Sequence, residues 1–204
     1  MNQVSSSSRM PKTERGKQTR DKLLEAAEIE FGEKGFHAAG ISGITARAGV
    51  ALGTFYTYFE SKEEIFEALV SFMNHRVRRW ISERIEDAPD RMAAERQGFA
   101  AYIEFTRQHK GIYRIISEAE FVANRAFRDH YDSIARAYQA GLREAGKSGE
   151  VREGDYEAWS WAIMGIALML GMRYAEWDES VPPQRIAELA GDFIEHGIGP
   201  GGGS

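Results

Sequence analysis

Apolar residues recur at three- and four-residue spacing across 12–88 and 90–181, and none of the five prolines, Pro11, Pro89, Pro182, Pro183 and Pro200, interrupts either stretch. The chain is therefore predicted to be all-α, with about nine helices. The first runs from about Gly16 to Lys34 and buries Leu23, Leu24, Ala27 and Phe31 on one stripe, with Gly35 standing where a C-terminal glycine ends a helix. Two short helices follow, Ser42 to Ala48 and Leu52 to Phe59, with Gly49 as the tight turn between them. Ser61-Lys62-Glu63-Glu64 has the S-x-x-E form of a capping box, in which a hydroxyl and a carboxylate take up N–H groups left open at a helix start. A long helix is expected from Lys62 into the mid-80s, its stripe formed by Ile65, Phe66, Leu69, Phe72, Met73, Val77 and Trp80. Further helices are predicted at about 91–108, 111–117, 122–145, 154–177 and 183–197, separated by Gly, Pro and Asp signals.

The segment Ala158 to Met172 is apolar on every face, which implies burial on both sides, by its own core and by a second subunit. It is too short for a bilayer, which needs about 20 such residues. The amphipathic segment 183–197, with Ile186, Leu189, Ala190, Phe193 and Ile194, completes an intermolecular bundle, so a homodimer through helices near 154–177 and 183–197 is expected. No apolar run follows the polar start MNQVSSSSRMPK, so no secretory signal is read there, and a cytoplasmic location is expected.

A length of 204 residues fits one large domain or a small one with a medium one, and the absence of cysteine removes disulfides, thiolate metal sites and cysteine nucleophiles. The five histidines form no HExxH or Glu-x-x-His pair, so no metal and no cofactor is expected. Glu118 and Glu120 are read as exposed at a helix–loop junction rather than as an acid–base pair. Gly141 to Ser148 matches the phosphate-loop pattern G-x-x-x-x-G-K-[ST], but it continues an amphipathic helix instead of following a buried strand. Ala145-Gly146 is read as a helix stop, and nucleotide binding is rejected. The net charge of -5 is uneven, because Arg9, Lys12, Arg15, Lys17, Arg20 and Lys22 face only Glu14 and Asp21 within the first 22 residues. A basic arm thus precedes an acidic body.

The most informative stretch is Gly40 to Lys62, GISGITARAGVALGTFYTYFESK. Two short helices around a glycine turn match a helix-turn-helix, whose second helix enters the major groove of DNA. Arg47 is the one charge between Ser42 and Phe59, so no carboxylate repels phosphate there. Thr54, Tyr56, Thr57 and Tyr58 offer hydroxyls, Leu52 a contact for a thymine methyl, Thr45 and Lys62 contacts for phosphate, and Gly40 or Ser42 the cap of the first short helix. Phe55 and Phe59 are read as core. The motif Ile44-x-x-x-Ala48-Gly49-Val50, Gly53-Thr54-Phe55-Tyr56-x-Tyr58-Phe59, Ser61-Lys62-Glu63 resembles the helix-turn-helix of TetR-family (tetracycline-repressor-like) regulators, over about 16–70. Ala39-Gly40 in place of Thr-Thr, Leu52 in place of a polar residue and Thr45 in place of alanine depart from it.

The resemblance implies an all-helical homodimer with an N-terminal three-helix DNA-binding domain and a C-terminal helical domain for ligand binding and dimerisation. It carries Gly53, Thr54, Tyr56, Thr57, Tyr58 and Lys62 over to DNA contact. The corresponding division is a flexible basic arm over 1–14, the DNA-binding domain over 15–62, the ligand and dimer domain over 63–197, and a flexible tail over 198–204. In the family the pocket lies among the central helices, which makes Phe99, Tyr102, Ile103, Ile116, Phe121, Phe127, Tyr131, Trp159 and Ile163 the lining candidates. Glu118, Asn124, Arg125 and His130 are the polar anchors to consider, with Arg125 or Arg128 for an acyl-CoA or another bulky acid. The expected function is a non-enzymatic repressor that binds a pseudo-palindromic operator as a dimer and is released by a small hydrophobic or aromatic effector. An effector-independent DNA-binding protein and a small helical-bundle enzyme are the alternatives.

Overall fold

The computed structural model describes residues 11–199. Among them it forms nine α-helices and no strand: α1 (Glu14–Ala38), α2 (Ile41–Ala48), α3 (Leu52–Tyr58), α4 (Lys62–Ile85), α5 (Arg91–Gln108), α6 (Ile112–Val122), α7 (Asn124–Ser148), α8 (Tyr156–Gly171) and α9 (Pro183–Ile198). A π-helical turn, Met172–Trp177, continues α8. The expected arm and tail lie outside the described residues apart from 11–14 and 198–199.

Most boundaries have a visible cause. Thr13 Oγ1 accepts the Gly16 N–H at α1, Asp90 caps α5, and Asp155 accepts two N–H groups at the start of α8. The Ser61 hydroxyl accepts the Glu64 N–H at 3.1 Å, while the Glu64 carboxylate reaches back to the Glu60 N–H. Gly35 breaks the helical run of α1 with a left-handed φ of 75°. Three expectations need correction. The α7 helix does not stop at Gly146 but runs to Ser148 and ends at Gly149, φ 80°, where the Glu150 N–H returns to the Ala145 carbonyl. Gly141 to Ser148 is thus helix throughout. The α6 helix extends to Val122 because Ala119 is core and its carbonyl receives the Ala123 N–H at 2.9 Å. Glu118 consequently lies within that helix and is half-buried, not exposed at its end. The third concerns 154–177, where the α-helix gives way at Met172 to the π turn; Arg107 takes up the carbonyls of Tyr174 and Val181, and Lys110 that of Ala175.

The described residues divide into two compact units, 11–73 with Gly111–Arg128, and Asn74–Lys110 with 129–199. In the first, Phe31 and Phe36 both meet the edge of Phe66 at 5.0 Å, beside buried Leu23, Leu24, Ile44, Phe55 and Phe59. The end of α1 is clasped from two sides: Glu118 accepts the Phe36 N–H at 2.7 Å, and the Lys62 ammonium donates to the carbonyls of Phe36 and Ala39 while lying 4.4 Å from the Phe36 ring centroid. In the second unit α5 packs against α8, α9 and the π turn, with Phe99, Leu142, Ile163, Ala190 and Ile194 in one core cluster and Ile103, Ala175 and Ile186 in another.

Also in the second unit, Asn74 donates to His130 Nδ1, to the His130 carbonyl and to the Ser133 hydroxyl, all within 3.1 Å. Burial pushes the His130 pKa from 6.5 down to about 4, so the folded ring stays neutral. Between those two pH values the unfolded chain binds a proton that the folded one refuses. Stability present above the upper value is therefore lost as pH falls toward the lower one, by about 3 kcal/mol. Urea unfolding across this range is expected to give a shallower decline for His130→Gln than for the parent chain; an identical decline refutes the assignment.

Candidate DNA-reading surface and ligand cavity

In the first unit, α2 and α3 meet at Gly49, whose φ of 67° and ψ of 32° are the left-handed conformation that a glycine supplies without strain. The α2 helix is fastened to α1 by a buried carboxylate. Glu30 is 1% exposed and accepts from Arg47 Nε at 2.8 Å and from Lys34 Nζ at 2.7 Å, while Arg47 also pairs with Glu33. Burial alone raises the Glu30 pKa, but the bonds and charges of Lys34 and Arg47 outweigh it and hold the carboxyl below its ordinary value. Arg47 is pushed higher still above neutrality, chiefly by its bond to Glu30. Gly43 makes the seat possible, since a Cβ there would lie 2.1 Å from Glu30 Oε1.

The expected DNA-contact residues fall into two groups. Ser42, Leu52, Gly53, Tyr56 and Thr57 are exposed, and Thr54 and Tyr58 are half-buried. Phe55 and Phe59 are core. Thr45, by contrast, is buried and its hydroxyl donates to the Ser42 carbonyl at 3.1 Å, which removes it as a phosphate contact. The Lys62 ammonium is engaged by three carbonyls, those of Phe36 and His37 in α1 and of its C-cap Ala39, so it positions the end of α1 instead of offering a free point charge. No side chain caps α2 or α3, whose N-caps are Gly40 and Ala51. At the other end of α1, the Arg20 guanidinium lies 5.3 Å from the Phe59 ring centroid, with its Nε buried and unpaired.

The second unit holds a cavity of about 650 Å³ between α4, α5 and α7, within the size range of small-molecule sites. One side is cationic. His75, Arg78 and Arg79 are exposed there and carry no hydrogen-bond or ion-pair partner among the described residues. Ile81, Ile85 and Ile134 form an apolar wall. Arg91, Glu95 and Tyr138 line another part as a closed network, in which Glu95, 2% exposed, accepts from Arg91 Nε at 2.7 Å and from the Tyr138 hydroxyl at 2.9 Å. Burial, then the neighbouring Glu95 charge, pushes the Tyr138 hydroxyl well above its usual pKa, so it remains a donor.

None of the nine lining candidates named from the sequence borders this cavity. Phe99, Ile103 and Ile163 are core of the second unit. Trp159 meets the edge of Tyr156, Tyr131 lies beside His130 and Trp161, and Tyr102 is half-buried. In the first unit Ile116 is buried, Phe127 is half-buried and Phe121 is 85% exposed. Among the polar anchors, Glu118 is committed to the Phe36 N–H, Asn124 to the Glu120 carbonyl, and His130 to Asn74. Sequence reasoning passed over Glu30, although a charge on the stripe of Leu23, Ala27 and Phe31 is the signal of a buried ion pair. It also passed over Arg78 and Arg79, which alternate with the apolar stripe of α4 and look like ordinary surface charges.

Residues 23–69 match the family described as bacterial regulatory proteins, tetR family. The chain is 45% identical over 65 residues to the HTH-type transcriptional regulator YdgC of Bacillus subtilis, a match that covers 32% of this chain and 33% of that protein. It is 29% identical over 139 residues to the fatty acid metabolism regulator protein of the same organism, covering 65% and 70% of the two chains. A solved structure of the transcriptional regulator FadR from B. subtilis in complex with stearoyl-CoA superposes with a TM-score of 0.74 at 19% identity, over 87% of this chain and 98% of that one.

Removing the Arg47 side chain leaves the buried Glu30 carboxylate with Lys34 alone. The Arg47→Ala variant is expected to lose about 1–3 kcal/mol of stability, the cost of under-satisfying a buried acceptor, read by urea unfolding; an unchanged midpoint refutes the role given to this pair.

Proposed function

We propose that the chain, whose residues 23–69 match the tetR family of bacterial regulatory proteins, is a transcriptional regulator that binds a pseudo-palindromic operator as a homodimer in the cytoplasm and is released by an amphipathic anionic effector, an acyl-CoA. Ser42, Leu52, Gly53, Thr54, Tyr56, Thr57 and Tyr58 make the DNA contacts, with Thr45 and Lys62 supporting them from within. Two copies of α3 one DNA turn or a multiple apart read the two half-sites. The second copy docks on α8 and α9, where Trp161, Met169, Leu189 and Phe193 are exposed; large exposed apolar residues on neighbouring helices mark an interaction surface.

The observation that carries the effector is the charge layout of the cavity. Arg78 and Arg79 await an anionic head, and Ile81, Ile85 and Ile134 suit a hydrocarbon chain. The likeness to a fatty acid metabolism regulator, and to a FadR solved with stearoyl-CoA, supports the same class. An effector drives release only by binding the conformation with the wrong spacing of recognition helices more tightly. The α4 helix is the connecting element, since one unbroken run carries Lys62 at its start and the cavity residues His75 to Ile85 at its end. The aromatics named as lining candidates, Phe99, Tyr102, Tyr131 and Trp159 among them, then serve as packing around the site.

Fluorescence anisotropy on DNA selected from a random pool tests this reading. Palmitoyl-CoA is expected to abolish binding, and Arg78→Glu with Arg79→Glu is expected to raise the concentration required roughly tenfold or more, the worth of a charge-assisted hydrogen bond, without weakening the operator complex. Binding that no acyl-CoA affects supports the effector-independent alternative. Leu189→Arg with Phe193→Arg is expected to yield a monomer in analytical ultracentrifugation that no longer retains a palindrome; a surviving dimer contradicts the docking face.

A further inference from the structure

We propose that the recognition surface selects its half-sites through thymine 5-methyl groups, with Leu52 as the specificity-determining residue. The inference rests on the reading that α2 and α3 enter the major groove, and it concerns what they recognise there. Base edges in that groove are distinguished by a few pairings: arginine or lysine with guanine, asparagine or glutamine with adenine, a carboxylate with cytosine, and apolar groups with the thymine methyl. From Ile41 to Tyr58 the sequence contains no lysine, asparagine, glutamine or carboxylate, and one arginine. That arginine, Arg47, is bound to Glu30 and Glu33 on α1. The three charge-based or amide-based pairings are therefore closed to this surface.

What it exposes is apolar and hydroxylic. Leu52 is 52% exposed, and Tyr56, one turn further along α3, is 48% exposed. Gly53, next to Leu52, faces open space, with nothing beyond its own chain neighbours and helix backbone within 4 Å of the position its Cβ would take. An exposed leucine alone is ordinary on a protein surface. Here it shares an uncharged face with an exposed aromatic ring, on an element whose role is to meet base edges. Hydroxyls of Ser42, Thr54 and Thr57 bind several bases without strong preference, which leaves the methyl as the group that separates thymine from cytosine and directs Leu52 to a T·A pair.

Replacing a thymine by deoxyuridine removes the methyl and preserves every hydrogen-bonding edge, so the substitution isolates the proposed contact. The full chain is first used to select an operator from a random pool, and each thymine of both half-sites is then replaced in turn. One or two positions per half-site are expected to lose roughly fourfold in affinity when substituted, the worth of one buried methyl-sized group. At one of them Leu52→Ala is expected to bind the thymine and deoxyuridine operators equally, with an unchanged unfolding midpoint. Leu52→Lys is expected to shift the selected base there toward guanine. A selected operator indifferent to deoxyuridine, or one whose invariant positions are guanines in the parent chain, overturns the inference while leaving DNA binding intact. Failure to enrich any sequence overturns the DNA-reading premise, and the inference with it.

Discussion

The placement of the recognition surface depends on one buried carboxylate, that of Glu30. A charge withdrawn from water costs several kcal/mol unless it is paired, and α1 meets that cost by drawing in Lys34 from its own helix and Arg47 from α2. The geometry then constrains its neighbours. Position 43 must be glycine to admit the carboxylate, Gly49 must turn the chain to bring α3 back, and Phe55 and Phe59 complete the packing beneath. The same bond spends the single cation of the helix-turn-helix on internal structure. The surface left facing outward is neutral, and under the proposed DNA-reading role its selectivity comes from shape, hydroxyls and methyl contacts.

The second unit distributes charge the opposite way. Its buried carboxylate, Glu95, is neutralised by half-buried Arg91 and accepts from the Tyr138 hydroxyl, linking α5 to α7, while Arg78 and Arg79 remain unpaired at the cavity. The cavity thus joins an apolar wall, Ile81, Ile85 and Ile134, to free basic side chains, which is the ground of the proposed amphipathic acid effector. The paired interior also discourages deep insertion of a carboxylate, because Arg91 has no charge to spare for it. Both units thus pair their most deeply buried carboxylates, Glu30 and Glu95, with cations.

The helices were largely legible in the sequence because their ends are written in local chemistry. Ser61 with Glu64, Asp90, Gly49 and Pro182-Pro183 mark boundaries through capping bonds and fixed dihedrals that involve only near neighbours. Gly146 misled because glycine is tolerated inside a helix when the packing of Leu142 and Ala145 carries it through, and α6 looked shorter because Ala119 is anchored from elsewhere in the chain. The helix-turn-helix was recognisable from its spacing, yet spacing does not reveal what a polar group bonds to. Thr45 turned inward to a carbonyl, Lys62 to the end of α1, and Arg47 to Glu30, each through contacts that close only in three dimensions. The cavity was missed for a related reason. Periodicity identifies the stripe of α5 that is buried, and Phe99 and Ile103 are on it, but the open space borders a different face, at Arg91, Ala94, Glu95 and Gly98.

The central claim is that an uncharged α3 meets thymine in the major groove. Photocrosslinking with 5-bromodeoxyuridine tests it most directly, because the halogen sits where the methyl would and reacts with whatever side chain touches it. With bromodeoxyuridine at each thymine of a selected operator in turn, followed by peptide mapping of the adduct, the account predicts crosslinks within α3, at Leu52 or Tyr56. Crosslinks found solely outside 41–58 would contradict it, because thymine would then be met by some other part of the chain.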